Sequence, residues 1–249
     1  MPTILNKVAL VTGGARGIGR AIAERLAAEG ARVVIGYRQD SAAADATVAA
    51  IEARGGQALA VRADVALRED RERLFHATLA AFEHLDIFVA NAGHAVFGPL
   101  LDFSEADFER TFAVNARGTF FCLQAALRVL TPGGRIVCVS TIGTLANMAG
   151  GACYFGSKAA VEQFCRVVAR EAAPRGITVN LVSPGFTDTD MLREVADDPA
   201  AREALAAETP LARLGTPRDI AGVVAFLVGP DAGWMTRQNL AVDGGIVAR

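Results

Sequence analysis

Residues 8–19 read VALVTGGARGIG, a short apolar, β-branched run that passes at once into a glycine-rich turn. The residues that follow, RAIAERLAAEG, carry helical periodicity. A strand that turns through glycines into a helix is the way a dinucleotide-binding βαβ unit begins. Gly13, Gly17 and Gly19 would allow a tight turn, close approach of a pyrophosphate and close packing of helix on strand. The spacing is T-G-x-x-x-G-x-G rather than the simpler G-x-G-x-x-G. An ordinary glycine-rich βα turn is the alternative, and the strand before and helix after weigh against it.

Working outward, further β-rich apolar runs recur between longer helical segments: RVVIGY (32–37), ALAVR (58–62), DIFVA (86–90), RIVCVS (135–140) and TVNLVS (178–183). A last strand is expected near 239–242. Continuous apolar strands suit a sheet covered on both faces, and crossovers of this length are what parallel pairing needs. The expected fold is α/β, a doubly wound parallel sheet of Rossmann type, with residues 1–249 as a single domain. Ser104 before Glu105 and Asp107 reads as an approximate capping box, Gly30 and Gly176 follow helical runs, and Pro132 is expected to end a long one. Residues 188–209 break the rhythm: charged, alanine-rich and interrupted by Pro199, they follow a strand end and are expected to form a lid.

Composition narrows the function. A chain of 249 residues with 52% hydrophobic and 21% charged residues is expected to fold rather than remain disordered. A formal net charge of −2 gives no electrostatic reason to expect nucleic acid or an anionic membrane surface as partner. Cys122, Cys138, Cys153 and Cys165 lack C-x-x-C spacing and no histidines cluster, so a metal is not expected and the thiols read as buried and reduced. No uninterrupted apolar run of about 18 residues occurs, and MPTILNKVALVTGG has no basic region leading into a long apolar stretch. The expectation is a cytoplasmic protein.

The second strand bears on the cofactor. An acidic side chain at its end would bind both ribose hydroxyls of NAD, whereas a cation suits a 2′-phosphate. This chain has Tyr37 and Arg38 there, and Arg16 within the glycine turn is a second cation that could reach the same group. The pair favours NADP(H). Farther along, Tyr154 and Lys158 stand four apart in a helical pattern and so share a face. An ammonium beside a phenol lowers its pKa toward the range of a working acid or base.

With these residues assembled, the chain resembles the short-chain dehydrogenase/reductase family over nearly its whole length. The family's signatures stand in order as TGGARGIG, Asp64-Val65, NAG at 91–93, Asn115, the Y-x-x-x-K of Tyr154 and Lys158, and PGFTDT at 184–189. LGTPRDIA and LAVDGG resemble the bacterial branch of 3-oxoacyl-carrier-protein reductases and glucose dehydrogenases. The resemblance implies a tetrad of Asn115, Thr141, Tyr154 and Lys158, with Thr141 where the family usually has serine. Threonine keeps the hydroxyl but adds a methyl that restricts χ1. Ser140 is the rival, and strand alternation sends the two side chains to opposite faces; Thr144 would take over were the strand to end earlier.

By the same resemblance the cofactor lies along Gly13, Arg16, Gly17, Ile18 and Gly19, with Tyr37 and Arg38 at its ribose. Asp64 and Val65 flank the adenine, and Asn91, Ala92 and Gly93 line the adenosine side. Pro184, Gly185, Thr187 and Thr189 hold the nicotinamide carboxamide, and Tyr154 and Lys158 reach the nicotinamide ribose. Asn115 holds a water that links the lysine to solvent. Taken from residue chemistry alone, Asp64 could equally be a helix cap and Asn91 a turn former. His94 reads as a pocket-wall or surface residue, and Trp234 and the phenylalanines as core or interface.

The expected activity is that of an NADP(H)-dependent carbonyl reductase or alcohol dehydrogenase. It acts on an uncharged or hydrophobic small molecule, with Tyr154 as general acid or base. The long helical runs 104–130 and 152–173 carry more apolar residues than one buried stripe requires, and the resemblance implies a dimer or tetramer. The alternatives are a cofactor-binding protein without turnover, or an NAD-linked alcohol or sugar dehydrogenase.

Overall fold

The computed structural model describes residues 4–247. The opening stretch is strand β1 (Val8–Thr12) followed by helix α1 (Gly17–Ala28). The chain continues through β2 (Arg32–Tyr37), α2 (Ser41–Glu52), β3 (Gln57–Arg62), α3 (Arg68–Phe82) and β4 (Leu85–Ala90). Next come α4 (Glu105–Phe112), α5 (Thr119–Val129), β5 (Leu130–Val139), α6 (Gly143–Ala146) and α7 (Ala152–Ala172). The remaining elements are β6 (Thr178–Pro184), α8 (Asp190–Arg193), α9 (Pro199–Glu208), α10 (Pro217–Val228) and β7 (Asn239–Val242).

The seven strands form one sheet in the order β3-β2-β1-β4-β5-β6-β7, every pairing parallel. β1 is buried along its whole length, and alternation splits it between two cores. Ala9 and Val11 join Ile22 and Leu26 of α1 and Val224 of α10 on one face. Val8 and Leu10 join Leu74 of α3, Leu123 of α5 and Cys165 of α7 on the other. This two-sided burial is the reason the strands read as continuous apolar runs. Strand order reverses between β1 and β4, which opens a crevice at their carboxyl ends.

Helix starts follow local chemistry. Asp40, Asp198 and Thr216 accept from the N–H three residues on. Thr216 and Asp219 complete a reciprocal capping box, whereas Ser104 caps only one way, accepting from the Asp107 N–H. Asp64 is no helix cap: α3 begins after Leu67, and the Asp64 carboxylate accepts from Ala66 N within a turn.

The helical run expected over 104–130 is present from Glu105 to Val129, but it changes its winding midway. Between α4 and α5 lies a π-helical segment, Ala113–Gly118, whose extra residue per turn carries Asn115 inward. Pro132 does not act as a simple helix stop either, because α5 ends at Val129 and Pro132 falls within β5. There the β4 partner register jumps from Leu85 to Ile87 while β5 advances from Leu130 to Arg135. A residue without an N–H is tolerated at that irregularity, and regular pairing begins at Arg135. Trp234 is not core; it is 98% exposed.

Candidate active site

At the crevice lies a cleft of about 620 Å³ whose wall includes the glycine turn, the end of β2 and the carboxyl ends of β4, β5 and β6. Every residue expected at the cofactor lines it, as do Thr141, Tyr154 and Lys158. Asn115 alone among the expected site residues is absent from the wall.

The glycine turn is fixed from behind. Asn91 Nδ2 donates to the carbonyls of Thr12 at 2.9 Å and Gly13 at 3.0 Å, and the N–H groups of Asn91 and Ala92 both donate to Thr12 Oγ1 at 3.1 Å. A Cβ at Gly19 would fall 2.1 Å from Gly13 O, so glycine there is what lets helix and turn meet. Gly17 has φ +55, and a Cβ there would meet only Thr189, at 3.6 Å. Arg16 precedes α1 in extended conformation and no side chain caps the helix. Its first N–H groups are therefore available to an anion in the cleft. These features fit a pyrophosphate.

The two arginines differ in circumstance. Arg16 Nη1 is 3.4 Å from Asp190 of α8, an exposed pair that bridges the cleft mouth. Arg38 contacts Gln39 Oε1 at 3.2 Å and has no carboxylate partner among the described residues. Both guanidinium groups line the cleft, but Arg16 is paired with a carboxylate and Arg38 is not.

The two hydroxyls of the fifth strand's end separate. Ser140 is buried and donates to Glu162 Oε1 at 2.8 Å; Thr144 does the same at 2.7 Å. Thr141 Oγ1 accepts the Gly143 N–H at 3.1 Å, and its own hydrogen has no acceptor among the described residues.

On α7, Tyr154, Ser157, Lys158 and Val161 share the buried face. Burial pushes the Tyr154 phenol up to about 12 and the Lys158 ammonium down to about 8. Lys158 Nζ donates to Val139 O at 2.8 Å and stands 6.0 Å from the centroid of the Tyr154 ring. The expected lowering of the tyrosine by the lysine is thus reversed here, because desolvation outweighs a charge at that distance.

Asn115 is fully buried and heavily engaged. Its Oδ1 accepts from His94 N at 2.8 Å, and its Nδ2 donates to His94 O at 2.8 Å and Ser157 Oγ at 2.9 Å. It fastens the segment after β4 to α7, and a Cβ at Gly93 would lie 3.5 Å from Lys158 Nζ and 3.7 Å from Asn115 Oδ1. His94 lines the cleft and is held below its ordinary pKa, first by burial and then by Arg110 and Arg38.

Sequence reasoning did not single out Phe155 or Phe186, which also line the cleft. The signal for Phe155 was present in Gly151, one helical turn earlier.

A doubly wound parallel sheet with a glycine turn at its switch point, and a tyrosine and lysine in the same cleft, defines a nucleotide-binding α/β oxidoreductase. Comparison with known proteins gives the family. A family model described as Enoyl-(Acyl carrier protein) reductase matches residues 13–247. A 3-oxoacyl-[acyl-carrier-protein] reductase of Synechocystis is 40% identical, covering 99% of this chain and 99% of that protein. A dehydrogenase/reductase from Sinorhizobium meliloti superposes with a TM-score of 0.94 at 43% identity, covering 99% of this chain and 97% of that one. A short chain dehydrogenase from Burkholderia cenocepacia, solved in complex with NADP, has a TM-score of 0.94 at 42% identity, covering 99% and 100%. The chain belongs to the short-chain dehydrogenase/reductase family of oxidoreductases.

Proposed function

We propose that the protein is an NADP(H)-dependent oxidoreductase that interconverts a ketone or aldehyde and an alcohol. The observation that carries this reading is the shared cleft: Tyr154 and Lys158 from one face of α7, and Thr141 just past β5, line the same cleft as the glycine turn. The bound cofactor supplies a hydride donor or acceptor. The complex of the Burkholderia cenocepacia relative with NADP supports the choice of cofactor.

Gly13, Gly17, Ile18 and Gly19 would hold the pyrophosphate at the start of α1, with Arg38 beside Tyr37 at the 2′-phosphate. Arg16 would join them on leaving Asp190. Asp64 and Val65 would flank the adenine, Asn91 to Gly93 would line the adenosine side, and Pro184, Gly185, Thr187 and Thr189 would hold the carboxamide. Lys158 would bind the ribose with Tyr154.

The reaction then follows from protons the chain holds. Thr141 Oγ1, already accepting from Gly143, turns its hydrogen outward and orients the carbonyl oxygen. Tyr154 Oη gives its proton to that oxygen as negative charge develops. Lys158 supplies the positive charge that lowers the cost of the phenolate left behind. Asn115 acts as a positioning residue through His94 and Ser157; the water-holding role implied by the family rests on its Oδ1, since both Nδ2 hydrogens are committed.

Residues 188–209, with α8 and α9, are proposed as a lid, and Arg16–Asp190 ties it to the glycine turn. Phe108, Phe120 and Phe121 on α4 and α5, all partly exposed, support association into a dimer or tetramer. Among the described residues no helix is long and apolar enough to cross a membrane. Four free, buried cysteines suit a reducing, cytoplasmic setting.

The test is oxidation of NADPH and NADH with a panel of activated ketones, read beside the binding of each cofactor alone. NADPH-linked turnover supports the proposal. Binding without turnover would leave a cofactor-binding protein, and preferential NADH use would leave an NAD-linked dehydrogenase.

A further inference from the structure

Phe155, the residue after Tyr154, sits in a slot that only glycines can form. A Cβ at Gly143 would lie 2.0 Å from one edge of its ring, at Cε1, and a Cβ at Gly151 would lie 2.0 Å from the opposite edge, at Cε2. Both neighbours therefore approach the ring as bare backbone, and the Phe155 N–H donates to Gly151 O at 2.8 Å. Phe97 completes the wall. Its ring meets Tyr154 edge-on at 5.5 Å and 62°, and Phe155 at 6.2 Å and 67°, while Tyr154 and Phe155 are 5.7 Å apart. The Gly98 N–H donates to Gly150 O at 2.9 Å, which joins the Phe97 loop to the loop that holds Phe155.

All three rings line the cleft. A carbonyl compound held at Tyr154 and Thr141 would share the cleft with these rings. The charges along the cleft are mixed in sign and do not single out an anion. The cleft-lining cations are Arg16 and Arg38 at the glycine turn and β2, and the buried Lys158. Asp40, Asp64, Asp190 and Glu194 also line the cleft, and burial lowers the His94 pKa from its ordinary value.

Resting on the carbonyl-reductase reading above, we infer that Phe155, clasped between Gly143 and Gly151, is a specificity-determining residue that selects uncharged aryl ketones over aliphatic and anionic ones. An aryl substituent adds an edge-to-face contact that an alkyl chain of equal size lacks. Such contacts are worth a factor of roughly 2 to 12 in affinity. Phe155 is a specificity residue here and takes no proton.

The experiment compares kcat/KM for acetophenone, 2-octanone and 4-acetylbenzoate with NADPH, in wild-type protein and in Phe155→Leu and Gly151→Ala. Leucine keeps apolar volume without a ring, whereas alanine at 151 keeps the ring but forces it from its slot. The wild type should prefer acetophenone to both others. In each variant the acetophenone to 2-octanone ratio should fall by roughly 2- to 12-fold, mostly through KM. NADPH affinity reports folding of each variant. A ratio unchanged in both variants, or a wild type that reduces 2-octanone and not acetophenone, overturns the inference and leaves the carbonyl-reductase reading standing. No NADPH oxidation with any of the three ketones overturns both.

Discussion

Replacing Lys158 by methionine should make the ligand-free protein more stable at neutral pH. The ammonium is buried on α7, its proton affinity displaced by desolvation from an ordinary 10.5 to about 8. At about 1.4 kcal/mol per tenfold, keeping the charge there costs about 3 kcal/mol. Methionine retains the apolar stem and removes that cost, but it also forfeits the hydrogen bond to Val139 O, worth about 1 kcal/mol. The net gain at pH 7 is about 2 kcal/mol, or about 4–8 °C in Tm for a chain of this size. The pH dependence follows from the depressed value. Below pH 8 lysine is charged in both folded and unfolded states, so the penalty is complete. Between about 8 and 10.5 the unfolded chain binds more protons than the native one, so wild-type stability rises relative to the variant. Above that range the variant should be the less stable by about 1 kcal/mol, the lost hydrogen bond. Thermal unfolding of both proteins without cofactor, from pH 7 to above 10.5, reads this directly. A variant less stable than wild type at pH 7, or a difference that does not change with pH, would refute the reasoning.

Three other outcomes are expected. Thr141→Ala should reduce kcat/KM by an amount equivalent to about 2.7–4 kcal/mol, the effect of removing a comparable donor, while Thr141→Ser retains turnover; Ser140→Ala should instead lower stability by about 1 kcal/mol, since its hydroxyl serves Glu162. Arg38→Ala should weaken NADPH far more than NADH, and Asp190→Asn should tighten NADPH by releasing Arg16; equal losses for both cofactors in Arg38→Ala would remove the phosphate assignment. For Asp86, burial raises the carboxyl, but hydrogen bonds from Val8 N, Thr131 and Lys7 outweigh it and hold the group below its ordinary value. Asp86→Asn should therefore destabilise the protein above about pH 4, with the difference disappearing as pH falls through the native value in acid unfolding curves.

The bounds of β1, β2 and β7 were legible because β-branched apolar runs are cut off by glycine, arginine or aspartate at their ends. The π-helical segment was not, since apolar spacing continues through Asn115, whose amide bonds the His94 backbone in the loop after β4, far away in sequence. Pro132 misled for a similar reason: it sits among extra residues of β5, which advances five positions between partners only two apart in β4, and that pairing is a tertiary property. Motif spacing brought Tyr154 and Lys158 to one helix face, but the sign of the tyrosine shift depended on burial, which spacing does not report. The Arg16–Asp190 pair joins residues 174 apart in sequence. Ser140 and Thr141 both line the cleft, but past the end of β5, where the Ser140 N–H still bonds Val182 O, their hydroxyls take different partners.

On the proposed reading, Tyr154 delivers the proton in an NADPH-linked carbonyl reduction. Its most direct test is kcat/KM for ketone reduction by Tyr154→Phe, measured with the affinity for NADPH in the same preparation. The account predicts a fall of roughly 10²–10⁴-fold with NADPH still bound. Turnover close to wild type in Tyr154→Phe would contradict it.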